Sequence, residues 1–201
     1  MTGKIIVRGL FIVAALLLAV SAAVAGTIKG SAHDFTKASW APTGLQLCII
    51  CHDQAMAASA DGVSPQWNHT RKSQDYTQYS SSSLKSTIGQ PGTRSKLCLS
   101  CHDGTIAVDS FAGTPTSGNV QYVKSVNNLG TNLKDDHPIG FTYNTALAKQ
   151  PGSTLFDPSS TYVTIGSDAD VTNYDTINTL MLFDGGQLEC SSCHDVHNKF
   201  T

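Results

Sequence analysis

Charge is scarce in this chain and is not sorted by sign. Charged side chains make up 14% of the 201 residues, with 13 Lys and Arg against 15 Asp and Glu. No basic stripe marks any segment, so the electrostatic footprint of a nucleic-acid binder is missing and no nucleic acid is expected as a partner. Long apolar runs are equally scarce. The one present, Leu10 to Val20, is followed by no second run of bilayer length, so no transmembrane segment is expected once it is removed. Aromatic residues are only 7% of the chain. Beyond Ala25, Ser, Thr, Gly, Asn and Asp crowd out large apolar side chains, and a core made of protein alone would be thin for this length.

The apolar run has the make-up of a secretory signal peptide. Lys4 and Arg8 precede it, and Ala23-Val24-Ala25 offers a small-x-small cleavage site. Residues 1–25 are expected to be removed, leaving a mature chain from Gly26 that fits one domain of residues 26–201. The alternative is a retained anchor. Loss of Lys4 and Arg8 moves the formal charge from −2 to −4. The expected location is periplasmic or extracellular.

Cysteine has no member to spare. All 6 fall in three copies of Cys-x-x-Cys-His: Cys48 to His52, Cys98 to His102 and Cys190 to His194. This spacing is that of a c-type haem attachment site. The thiols Cys48, Cys51, Cys98, Cys101, Cys190 and Cys193 would add to haem vinyl groups as thioethers, and His52, His102 and His194 would become the proximal iron ligands. Three disulfides would leave the histidine after each pair unexplained. A structural zinc site takes four ligands, and one motif supplies three. Three covalently attached haem c (heme c) groups are therefore expected, with folding coupled to their attachment because each macrocycle supplies apolar surface that the chain lacks.

The remaining ligand on each iron decides the chemistry: an open position permits substrate binding, and a second side chain makes an electron carrier. Four other histidines exist, His33, His69, His137 and His197, for three distal positions. His137 precedes Pro138, which biases its backbone to an extended shape, and Ile139 and Phe141 follow. His69 follows Trp67, a flat apolar plate. His33 sits near the start of the mature chain, on an arm that can reach a distant haem. His197 is too close to His194 to wrap round the same iron, so it either serves a different, nearby haem or is the unused fourth. Met56 and Met181 are the alternative ligands. Paired histidines imply low potentials, since Met in place of His raises them.

Regular structure is expected to be slight. The fold class is mostly irregular with short α-helices and a few short strands, organised around the three haems. Gln54 to Ala60 is a candidate helical turn, and Pro42 with Gly44 and Gln90-Pro91-Gly92 mark turns ahead of the first two motifs. Ser80 to Ser83 is a solvated loop, and Gly104 to Gly130 a loop with at most short strands. Tyr162 to Ile165 is a candidate strand. Leu180 to Glu189, with Asp184-Gly185-Gly186 at its centre, is a candidate hairpin.

Several stretches together resemble the multihaem c-type cytochromes with doubled CxxCH motifs found in metal-reducing anaerobic bacteria. They are Cys48 to His52, Pro65 to His69, Leu97 to Gly104 (LCLSCHDG), Asp136 to Phe141 and Glu189 to Asn198 (ECSSCHDVHN). The first motif departs from the pattern, because CHDQA lacks the later histidine of CHDVH. The resemblance implies haems with histidine on both faces, electron transfer in anaerobic respiration and other redox proteins as partners. Some members of the group assemble into extracellular filaments in which one subunit lends a histidine to the next, and His33 would suit such an arm. An electron carrier with no catalytic activity is therefore expected. The alternative is a multihaem reductase, or its electron-donating subunit, with one open haem.

Overall fold

The computed structural model describes residues 28–52, 66–70, 74–111, 114–115, 120–165 and 174–197. The expected signal peptide, the candidate turn over Gln54 to Ala60 and Met56 lie outside these residues. Most of the described chain is irregular. Its longest regular element is a helix of 10 residues, α1 (Thr93–His102). Two single-turn helices follow, α2 (Thr145–Ala148) and α3 (Ile177–Leu180). The strands are β1 (Ser110–Phe111), β2 (Thr114–Pro115), β3 (Phe141–Thr142), β4 (Tyr162–Thr164), β5 (Tyr174–Thr176) and β6 (Gln187–Leu188). They pair antiparallel as β1 with β2, β3 with β6 and β4 with β5, in two-stranded sheets only.

α1 carries the second Cys-x-x-Cys-His at its C-terminal end. Arg94, Lys96, Leu97 and Leu99 are good helix formers, and Gly92 stands at the N-cap. Asp103 closes the helix, and Gly104 follows with φ +72°, the left-handed conformation that ends many helices. A Cβ on Gly104 would collide with the Asn128 side chain. The buried face comprises Ser95, Leu97, Leu99 and Ser100, half of it polar.

Where a hairpin is predicted over Leu180 to Glu189, the chain does something else on either side of the turn. Leu180 ends α3, and Phe183 and Gln187 form one antiparallel bridge. Asp184, Gly185 and Gly186 all take positive φ between them. Gln187–Leu188 then leaves to pair with Phe141–Thr142, 45 residues upstream at its Gln187–Thr142 side-chain contact. This pairing brings the His137 segment beside the third motif.

Two small cores result. Tyr76, Leu99, Leu133 and Ile139 form one, with Leu188 and Cys190 packed on it. That cluster joins the second motif, the third motif and the residues just after His137. The other core is Tyr143, Leu147, Ile177 and Leu182, with Met181 packed against it. Met181 thus has a packing role away from the motifs.

Candidate functional site

Each Cys-x-x-Cys-His folds as a single helical turn. The His52 N–H donates to the Cys48 carbonyl at 2.9 Å, and the His194 N–H donates to the Cys190 carbonyl at 3.0 Å. The middle copy closes α1. One turn rises by about 5.4 Å, so both thiols and the imidazole of each motif are held within a compact patch.

Every motif histidine faces one of the four others. His52 and His197 have ring centres 6.1 Å apart with planes 20° from parallel. His194 and His137 are 6.3 Å apart, also at 20°. His102 and His33 are 6.0 Å apart with planes at 52°. These separations exceed that of the ordinary tyrosine stack of this protein, Tyr162 on Tyr174 at 5.2 Å. A metal–imidazole bond is about 2.0–2.1 Å long and the ring centre lies about 1.1 Å behind the nitrogen, so two imidazoles on opposite sides of one metal have centres about 6.2–6.4 Å apart. The His194–His137 pair at 6.3 Å falls within that range, and the pairs at 6.1 and 6.0 Å fall just short of it.

The ring nitrogens are arranged to suit. His102 Nδ1 donates to the Asn127 carbonyl at 2.8 Å, which leaves Nε2 for the opposite side of the ring. His137 Nδ1 has the Pro138 carbonyl at 3.5 Å, and His197 Nδ1 has Asp195 Oδ1 at 3.5 Å. Engagement of one nitrogen by a carbonyl or carboxylate is the usual orientation device for a metal-bound imidazole. His33 is placed by Asp34, whose carboxylate accepts the Thr36 N–H at 3.2 Å and the Gly30 N–H at 2.7 Å. Burial, and then the neighbouring His102, lowers the His33 pKa, which keeps the ring in the neutral form that binds metals.

Among the described residues, no group of three or more His, Cys, Asp or Glu side chains converges on a point that could hold a bare metal ion. What the chain offers is a pair of imidazoles with two thiols beside one of them, three times over. That donor set fits an iron whose four in-plane ligands come with a macrocycle. Haem c therefore fits the residues present: Cys48, Cys51, His52 and His197 at site 1; Cys98, Cys101, His102 and His33 at site 2; Cys190, Cys193, His194 and His137 at site 3.

Burial pushes the Cys51 and Cys101 thiols each up to about 11. Cys98 and Cys190, from different motifs, act on each other so that the first is raised and the second lowered.

His69 does not join a pair. It is 6% exposed and packs on Trp67 at 5.7 Å, with Nδ1 lacking a hydrogen-bond partner. Trp67 in turn sets its ring edge-on to His52 at 6.5 Å and donates Nε1–H to Ser100 Oγ at 3.2 Å. The first motif is also clamped by Asn68, whose N–H donates to the Cys51 carbonyl at 3.0 Å and whose amide donates to the Ile49 carbonyl at 2.6 Å.

Residues outside the motifs hold the sites together. Glu189, 2% exposed, accepts the Gly92 N–H at 3.1 Å and the Ser95 hydroxyl, while the Cys190 N–H donates to Ser95 Oγ at 3.0 Å. Burial pushes the Glu189 carboxyl above its ordinary value. Asp103, also buried, accepts from Tyr76 Oη at 2.8 Å and from the Gln74 amide, and burial with that bond drives the Tyr76 hydroxyl up to about 12. Position beside a motif is the only sequence signal that Glu189 and Asp103 carry.

No protein-family model matches the chain, and no curated protein matches it in sequence. Among the described residues no helix is long and apolar enough to cross a membrane.

Proposed function

We propose that this chain is a trihaem c-type cytochrome that carries electrons, of the kind its motifs resemble. The observation that carries the reading is the facing of every motif histidine by a second histidine near the spacing of a shared metal. Bound at these sites, haem supplies a one-electron ferric–ferrous couple. The cysteines tether it. His52 with His197, His102 with His33 and His194 with His137 would hold the iron from both sides, which would leave no place for a substrate and would favour a low potential. The Asn127 carbonyl fixes the His102 ring, and Asp195 lies beside the His197 ring. Export through the predicted signal peptide would place the protein in the periplasm or outside the cell, in reach of other redox proteins in anaerobic respiration.

Within one chain each motif histidine has a facing histidine, so a self-contained carrier is the simplest form of this proposal. Visible and EPR spectra test this. The expected oxidised protein is wholly low-spin and its reduced form does not bind carbon monoxide. A high-spin haem or ready carbon monoxide binding would instead indicate an open site and the reductase reading. A filament subunit that borrowed His33 from a neighbour would lose low-spin character at site 2 on dilution to monomers. A self-contained chain keeps it.

A further inference from the structure

We infer that the three sites form a closed ring in which each neighbours both others, so that the chain acts as an electron junction rather than a stretch of linear wire. This rests on the trihaem reading above and extends it to the order of contacts.

Each link has its own structural basis. Sites 1 and 2 are joined by Trp67, which packs on His52 and donates to Ser100, the residue beside Cys101. Sites 2 and 3 are joined where α1 meets the turn Cys190–Ser192. There Ser95 binds both Glu189 and the Cys190 N–H, and Leu99 and Cys190 belong to one packed cluster.

The third link is the decisive one. In a linear relay the end sites meet only through the middle. Here His194 belongs to site 3 and His197 faces His52 of site 1, with only Asp195 and Val196 between them. Three residue steps span at most about 11 Å, so the backbones that hold sites 1 and 3 are held within that reach. The sequence HDVH is thus a covalent strap between the two ends.

A ring changes how the carrier works. One electron leaves a reduced site and arrives at an oxidised neighbour, with no bond made and no proton required. A one-electron donor protein at any site reaches an acceptor at any other in a single internal step.

Stepwise reduction of the intact protein, followed by NMR that resolves each haem, tests the inference. The reading is how far each site's midpoint shifts when each other site is reduced. His197→Met marks site 1, because methionine raises the potential of the haem it ligates, and His137→Met marks site 3. Should either variant lose its haem, the missing signals make the same assignment. The expected result is three mutual shifts of similar size, that between sites 1 and 3 being at least half of the others. A shift between sites 1 and 3 that is absent or below a tenth of the others, in a protein that holds three low-spin haems, overturns the ring and leaves the trihaem reading standing. Fewer than three low-spin haems would remove the reading itself before any titration.

Discussion

His69 and His197 show what decides a ligand at the scale of one residue. The neighbour of a histidine in sequence says little about which ring it will face. Trp67 makes His69 look like a ligand, yet Trp67 commits its edge to His52 and its N–H to Ser100, and His69 is left packed behind it with Nδ1 unpartnered. His197 is restrained by its short tether to His194, and that tether delivers it to His52. His33→Ala is therefore expected to open site 2 alone, with one haem in three turning high-spin and binding carbon monoxide. His69→Ala should leave all three haems low-spin while losing about 1–3 kcal/mol of stability in denaturant titration, as for a buried side chain. The motifs stand out in the sequence because covalent haem attachment would demand a contiguous pattern. Their partners were not legible there, because the facing histidines are brought in by the tertiary fold from 57 residues away for His137 and His194, 69 for His33 and His102 and 145 for His197 and His52. The ligand planes add a further expectation. Sites 1 and 3 share an angle of 20° and site 2 has 52°, so the low-spin EPR signals should fall into two classes.

At the scale of elements, α1 is the part that the sequence concealed. Its buried face includes Ser95 and Ser100, so no apolar stripe announces it. Turns that rest on a left-handed glycine were easier to read, as at Pro42 with Gly44 and at Asp184-Gly185-Gly186, whereas Gln90-Pro91-Gly92 runs extended into the N-cap of α1. The expected hairpin forms only at its turn, where Phe183 and Gln187 exchange both backbone hydrogen bonds; beyond that pair Gln187–Leu188 finds Phe141–Thr142, a pairing that depends on distant contacts. Two glycines test this layer. A Cβ at Gly92 would overlap the Glu189 carboxylate, so Gly92→Ala should loosen the seam between sites 2 and 3. Gly140, with φ +71°, has the Gln90 carbonyl 2.9 Å from where a Cβ would stand, and Gly140→Ala should cost more than about 1 kcal/mol by thermal melting. Glu189 adds a pH dependence. Its folded pKa lies above the ordinary 4.5, so its contribution to stability is complete below that value and is lost as pH rises through the raised one. The melting temperature should fall across that window, and Glu189→Gln should flatten the fall.

Over the whole molecule, the described residues bury two clusters of four apolar side chains each and a scatter of others such as Ile50, Ile106 and Phe111. So little apolar packing offsets only a fraction of the entropy of ordering the chain. The account assigns the balance to three tethered macrocycles that the surrounding loops wrap. A chain produced without haem attachment should lack a cooperative unfolding transition by circular dichroism. The most direct measurement is the intact mass of the exported chain under denaturing, reducing conditions, where only covalently held groups remain. The account predicts the polypeptide plus three haems. A polypeptide without haem, or with fewer than three, would contradict it.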